Sequence, residues 1–329
     1  MRTRALKKDL TTEMIEAVRS RYHLSKIDSV DGPMRKAAVA HFDSLADMAH
    51  LRDMLPDTHT SAKTDNWSRS WVSCSGEMVT GSGDANVADV IESAVAKISA
   101  GVTAAPGWTM APAGAYPIVP AAIGGDPFSM RMRTEDRGES NPIRIYIPMV
   151  CSAAVKRDTF ATIMAMVSAA VLAISEHRAV ELLGWFGTGG KCETVRTCSK
   201  DNRTLGNASA RLATCKISTE WLDSRALSAW TEQSIGRSLW LPLDDAATGK
   251  GESFKPWPWG GSPHSSDNIR AMREHLGCTD DDLFIPPLFG DRDVASKLVP
   301  ALEKAAKSAG LDIDLSDWKA IRETIRKVC

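Results

Sequence analysis

Two carboxylates follow a short apolar stretch near the end of the chain, in the sequence GDRD at 290–293. Asp291 and Asp293, with Arg292 between them, come directly after FIPPLF. In open α/β sheets ligands bind where the strands end, and paired carboxylates at such a place could hold a divalent cation or take part in hydrolysis. The simpler interpretation, which we favour, is that they cap the helix predicted for ASKLVPALEKAAKSAG.

Cys151 is a second group with chemical potential, in the polar loop after the apolar stretch IRIYIPMV. Near a helix N-terminus its thiolate would be favoured, so it could act as a nucleophile. No histidine can be placed beside it from the sequence, and a small buried residue is the simpler role. The chain has 7 cysteines without a CxxC pair, which predicts reduced thiols and a cytoplasmic location rather than disulfides or zinc.

Tryptophans in two long segments are candidate binding residues. The segments 101–127 and 241–267 are rich in Pro and Gly and have no periodicity, which predicts loops. Trp108 lies in the first segment, and Trp257 and Trp259 lie between prolines in the second. Aromatic residues carry much of the energy of protein interfaces, so these three side chains could contact a partner. Packing of the loops against the core is the alternative.

The elements that would position these groups are clearest from residue 143 onward. IRIYIPMV, a helix over 158–177 and AVELLGWFGTG at 179–189 predict a βαβ unit. Further strands at 211–218 and 281–289 alternate with helices in the same way. This order predicts an α/β fold with an open, mostly parallel sheet and helices on both faces, similar to von Willebrand A or Rossmann-like folds.

The N-terminal part predicts a separate helical unit. Met14, Ile15 and Val18 recur at helical spacing, and Ser44 is placed to cap a second helix at FDSLADMAHLRDML. We therefore expect a helical N-terminal extension over 1–60 and an α/β core over 66–329. The three consecutive aspartates at 280–282 predict a solvated turn.

Composition limits the classes of partner. The formal net charge is -1, which gives no overall attraction to nucleic acid or to an anionic membrane. The arginines of RMRTEDR (Arg131, Arg133 and Arg137) alternate with acids, so nucleic-acid binding stays open but is not favoured. The apolar run at 162–174 is shorter than the roughly 20 residues that cross a bilayer, so we expect no membrane span. Self-association stays open.

The order of elements from Ile143 onward resembles a von Willebrand factor A type domain, in which the first strand ends in a metal-binding DxSxS loop. If IRIYIPMVCSAAV matches that strand, Met149 stands at the aspartate position, with Cys151 and Ala153 at the two serine positions. A thioether and a methyl group cannot hold a hard divalent cation, which requires oxygen ligands. The resemblance therefore implies a loop without metal, and we expect no cofactor.

A second resemblance concerns a wider part of the chain. HFDSLADM at 41–48, PIVPAAIGGDPFSM at 117–130 and FIPPLFGDRD at 284–293 are similar to segments of a family of bacteriophage-encoded proteins to which no activity is assigned. The similarity covers roughly residues 40–295 and implies a phage origin. It would place the protein in the cytoplasm of the infected bacterium or in the virion.

Together these observations predict a non-enzymatic phage protein that binds another protein of phage or host. The alternative is a hydrolase or a nucleic-acid enzyme with a carboxylate site at the strand ends, formed by Asp291 and Asp293, to which Cys151 could be added with a histidine from elsewhere in the chain. A divalent metal that raises the thermal stability would favour the alternative.

Overall fold

The computed structural model describes residues 11–27, 36–55, 142–149, 157–175, 178–189, 210–217, 266–286, 288 and 291–327, together with short pieces within 89–133 and 243–247. Strands and helices form a mixed α/β fold, which confirms the predicted class.

The described strands are β1 (Tyr22–Lys26), β2 (Lys36–Phe42), β3 (Thr103–Ala104), β4 (Trp108–Ala111), β5 (Tyr116–Pro117), β6 (Met130–Arg133), β7 (Ile143–Pro148), β8 (Val180–Gly189), β9 (Ala210–Ile217), β10 (Leu283–Phe284) and β11 (Leu311–Asp312). The described helices are α1 (Thr12–Arg19), α2 (Leu45–Asp53), α3 (Arg157–Ser175), α4 (Ser266–His275), α5 (Asp291–Asp293), α6 (Val299–Ser308) and α7 (Trp318–Arg326), with a π-helical turn (Val294–Leu298) between α5 and α6.

Among the described residues, the main sheet has six strands, in the order β1-β2-β9-β8-β7-β10. The predicted βαβ unit is confirmed, since β7 and β8 pair in parallel and α3 connects them. The mostly parallel arrangement is not confirmed, because β9 runs antiparallel to β8 and β1 antiparallel to β2. The narrower likeness to von Willebrand A or Rossmann-like folds is likewise not confirmed. A strand buried on both faces has the same apolar pattern in either direction, so the sequence could not distinguish them.

The predicted cap at Ser44 is confirmed, and Thr11, which was not predicted as a cap, begins the first helix in the same way. The Thr11 hydroxyl accepts a hydrogen bond from the Met14 N–H at 3.3 Å, and the Ser44 hydroxyl accepts one from the Asp47 N–H at 3.0 Å. Between these helices, however, residues 22–42 contribute β1 and β2 to the main sheet, so the helical extension is not confirmed. The predicted boundary between residues 60 and 66 lies outside the described residues.

Side-chain contacts also attach the N-terminal part to the sheet. Arg21, between α1 and β1, donates two hydrogen bonds of 2.9 Å to the carboxylate of Asp47 in α2. The same guanidinium lies 5.9 Å from the ring centre of Phe42, at the end of β2. One cation therefore contacts both α2 and the end of β2, which holds the first helices against the sheet.

Helix α3 forms the centre of the apolar core and packs against β8, α6 and α7. Side chains at helical spacing along α3 are buried, among them Ile163, Val167, Val171 and Ile174, while the side chain of Phe160 lies outside the description. Among the described residues, no helix combines the length and hydropathy that a membrane span requires.

Helix α4 lies over one face of the main sheet, the face that carries the side chains of Ser25, Tyr146 and Thr214. The Tyr146 hydroxyl donates to the carbonyl oxygen of Leu276 at 3.3 Å, just after the helix ends. On the same face, at the edge strand β1, the Ser25 hydroxyl lies 2.8 Å from Nδ1 of His275. Side chains on alternate positions of a strand share a face, so strand registers and contacts agree on this placement.

A close approach in the core generates the first prediction. A Cβ atom at Gly184 would lie 2.6 Å from Sδ of Met149 and 3.0 Å from Cδ1 of Ile217. Met149 is 0% exposed, so its side chain cannot move into solvent to make room. We expect Gly184→Ala to lower the free energy of unfolding by about 1–3 kcal/mol, the usual cost of overpacking, as measured by urea denaturation.

The double variant with Met149→Ala provides the control. Shortening Met149 removes the atoms that the new methyl group would meet, so the two substitutions together should cost less than the sum of their separate effects. Additive losses would contradict the close contact between Gly184 and Met149.

Candidate functional site

The predicted carboxylates follow β10, but one of them already has a structural partner. The Asp293 carboxylate lies 2.9 Å from Nζ of Lys297, one turn further along the same helical run, and 18% of its side chain is exposed. Asp293 makes no capping hydrogen bond, so the predicted cap is wrong for this residue. Asp291 begins α5, and its side chain lies outside the description. The description therefore covers the side chain of only one of the two predicted carboxylates.

A π-helical turn separates Asp293 from α6. Within this turn the N–H of Val299 donates to the carbonyl oxygen of Val294, one residue further back than in an α-helix. Pro300 follows immediately and has no N–H to donate. The proline accounts for the local change in hydrogen bonding without invoking a ligand.

The other predicted site residues are only partly covered by the description. Cys151, Trp257 and Trp259 lie outside the described residues. The backbone of Trp108 begins β4, which pairs antiparallel with β6 through the register Trp108↔Arg133. For Trp108, the structure describes the backbone and not the side chain. Their proposed roles in catalysis or binding stay predictions.

The densest described polar cluster is one that the sequence did not predict. The carboxylate of Asp282, just before β10, accepts hydrogen bonds from Arg144 through the backbone N–H at 3.2 Å, Nε at 3.3 Å and Nη2 at 2.8 Å. It also accepts from Thr279, through the N–H at 2.7 Å and the hydroxyl at 2.9 Å. This cluster ties the loop after α4 to the beginning of β7.

The surroundings of Asp282 stabilise its charged form. Burial by itself raises the pKa of this carboxyl, but the hydrogen bonds from Thr279 and Arg144 outweigh burial and hold the pKa below its ordinary value. Only 4% of the side chain is exposed, so the predicted solvated turn is wrong for Asp282. Two features of the sequence could have predicted this cluster: the spacing Thr279-x-x-Asp282, and an arginine, Arg144, within an apolar strand.

Two further groups beside this cluster are held in their neutral forms. Burial raises the pKa of the Cys278 thiol to about 12, and burial also raises the pKa of the neighbouring Tyr146 hydroxyl. A thiol reacts as its thiolate, so Cys278 is a poor nucleophile at neutral pH. Buried Cys215 in β9 likewise has a raised pKa, because of burial and then because of Asp47 and Asp43.

The pair His41 and Thr214 has the geometry of a base beside a hydroxyl. Nδ1 of His41, in β2, lies 2.6 Å from the hydroxyl oxygen of Thr214, the residue directly across in β9. Burial, and then the nearby His23, lowers the pKa of His41, so the ring is neutral at pH 7. Such pairs can activate nucleophiles, but Thr214 is only 3% exposed. The contact therefore serves to join β2 to β9.

Metal ligands do not converge in the part of the chain that the structure describes: no three His, Cys, Asp or Glu side chains there are placed to hold one ion.

A comparison with family models gives one match. A model described as a domain of unknown function (DUF7192) matches residues 13–313. The chain belongs to the DUF7192 family. The DUF7192 region extends from α1 to just beyond β11, so it contains all six strands of the main sheet, including β1 and β2. No curated protein and no solved structure matches the chain.

The Asp282 cluster generates the second prediction. Asp282→Asn removes the charge that Arg144 and Thr279 surround, and we expect it to lower the free energy of unfolding at pH 7 by about 2–3 kcal/mol, typical of a lost charged hydrogen-bond partner. Urea denaturation measures the change, and Asp281→Asn at the exposed neighbouring position is the matched control.

The sign of the pH dependence follows from the direction of the pKa shift. Since the folded-state pKa of Asp282 lies below its unfolded value, its stabilisation is present above the unfolded pKa and is lost as the pH falls through the folded pKa. The difference between the wild-type protein and Asp282→Asn should therefore shrink from pH 7 toward acid. A difference that is constant over this range would contradict the assignment.

Proposed function

We propose that the protein is non-enzymatic and acts by binding another protein, of phage or host. The observation that carries the proposal is the ion pair between Asp293 and Lys297, at 2.9 Å. Asp291 and Asp293 are the candidate catalytic carboxylates, and Asp293, whose side chain is described, already has a partner four residues further along the chain. A carboxylate paired in this way is neutralised by its neighbour and is poorly suited to bind a cation.

Tryptophan usage supports a recognition role. The chain contains 10 tryptophans, and the two with described side chains, Trp185 and Trp318, are 0% and 5% exposed. Trp185 is part of the core, where its indole N–H donates to the carbonyl oxygen of Ile285 at 3.0 Å. Trp108, Trp257 and Trp259 occur instead in segments rich in Pro and Gly, and we propose them as the contact residues.

The phage origin belongs to the same proposal. It is supported by the similarity of the segments at 41–48, 117–130 and 284–293 to bacteriophage-encoded proteins. The protein would then act in the cytoplasm of the infected bacterium or in the virion. Mass spectrometry of purified virions and of infected cells distinguishes these two locations.

Replacement of the loop tryptophans tests the proposal. We expect the double variant Trp257→Ala, Trp259→Ala to lose most of its capture of a specific protein from lysates of infected cells, with little change in Tm. Quantitative mass spectrometry of the captured proteins measures the loss. Trp318→Ala is the contrast, because truncation of a buried tryptophan typically costs about 3–5 kcal/mol. A similar fall in Tm for both variants would show that the loop tryptophans belong to the core.

The enzymatic alternative has one structural observation in its favour, since α5 carries Asp291 and Asp293 on the segment that follows β10. A carboxylate site there would bind a divalent cation, and binding to the folded state would raise Tm. Under the proposed function, millimolar Mg²⁺ or Mn²⁺ leaves Tm unchanged. A rise in Tm that disappears in Asp291→Asn and Asp293→Asn would instead support the enzyme.

A further inference from the structure

We propose that two copies of this chain associate through β1, edge to edge and antiparallel, around a two-fold axis at Leu24. In the described part of the chain, β1 ends the main sheet, and β2 is the strand with which it pairs. A strand at the edge of a sheet presents backbone N–H and C=O groups to another strand, and an identical strand is one that always has the correct length and pattern.

The side chains of β1 fit a second copy of the same strand. In a two-fold pair centred on Leu24, Tyr22 lies across from Lys26, His23 across from Ser25, and Leu24 across from its own copy. No two charges of the same sign face each other directly, and the two leucines meet at the axis. Directly opposed side chains determine much of the stability of an antiparallel pair, so this register is self-complementary.

Exposure places the apolar contact at the axis. Leu24 is 41% exposed, and it is one of three large apolar side chains that are exposed among the described residues, together with Met54 and Ile123. An apolar residue in the middle of an edge strand gains most from burial when a second strand is added. Pairing would cover Leu24 in both copies at once.

The two edges of the sheet differ in the way that this proposal requires. At the other edge, β10 has only two residues and is followed by Pro286, and short edge strands and prolines are features that prevent strand addition. Strand β1 has five residues and contains no proline. Its charged residue, Lys26, stands at the end of the strand and not at its centre.

This association is independent of the loop tryptophans. The proposed function concerns a different protein and the residues Trp108, Trp257 and Trp259, whereas the present inference concerns a second copy and β1. Each can therefore fail without the other.

Sedimentation velocity of the full chain from about 1 to 200 μM tests the association. We expect a dimer whose Kd rises about tenfold or more in Leu24→Lys, because like charges then face each other at the axis. Met54→Lys is the matched control, since Met54 is 43% exposed and receives the same charge outside β1. Its Kd should equal that of the wild-type protein. Thermal unfolding of each variant verifies that the fold is retained.

A charge exchange makes the test specific for the two-fold axis. Leu24→Lys and Leu24→Glu should each dimerise more weakly than the wild-type protein when alone, and should form a tighter mixed dimer when combined, because opposite charges then meet at position 24. A wild-type protein that stays monomeric over the whole range would overturn the proposal. A dimer that persists unchanged in both variants would also overturn it, because the interface would then lie elsewhere.

Discussion

The main sheet depends on the position of β9 between β2 and β8. It pairs in parallel with β2 from Ala210 to Cys215 and antiparallel with β8 over its whole length. All of its residues except Lys216 are buried, so both its edges and both its faces are in contact with the rest of the protein. Without β9, the strands β1 and β2 would form an isolated two-stranded hairpin, which is at best marginally stable in water.

The charged residues of the described core serve mainly to hold elements together. Asp282 connects the loop after α4 to β7 through Arg144, and Asp158 at the start of α3 lies 3.1 Å from Nε of Arg322 in α7. Arg21 joins the turn before β1 to α2 in the same way. A buried charge is costly unless it is paired, and each of these pairs joins segments that are distant in the sequence. The buried carboxylates Asp158 and Asp282 therefore serve to join segments of the fold.

Local signals in the sequence predicted the elements that depend on local physics. The cap at Ser44, the helix α3 and the βαβ unit all follow from spacing within a few turns or between consecutive elements. Strand β2 was missed because KAAVAHF contains three alanines, which favour helix, and its pairing with β1 and β9 makes it a strand.

The same distinction between local and long-range contacts applies to the candidate site residues. Asp293 and Lys297 are four residues apart, so their ion pair could have been inferred from helical spacing. Asp282 and Arg144 are brought together only by the pairing of β10 with β7, which no local pattern encodes. The sequence could thus suggest which carboxylates were available, but not which of them the tertiary structure would use.

The directions of the strands bear on where a ligand could bind. In a parallel sheet all carboxyl ends meet at one edge, and crevices form there. Here β7, β8 and β10 run in one direction, while β2 and β9 run in the other. The carboxyl ends of β2 and β9 therefore lie at the same edge as the amino ends of β7 and β8. At this edge Arg144, in β7, donates a hydrogen bond to Asp282, just before β10. A mixed sheet of this kind divides the carboxyl ends of its strands between two edges: those of β8, β7 and β10 meet at one edge, and those of β2 and β9 meet at the other. The expectation of a strand-end site was derived for a fully parallel sheet, and here only groups of neighbouring strands keep that geometry. The segment that carries Asp293 follows β10 at the edge shared by β8, β7 and β10, where Asp293 is paired with Lys297.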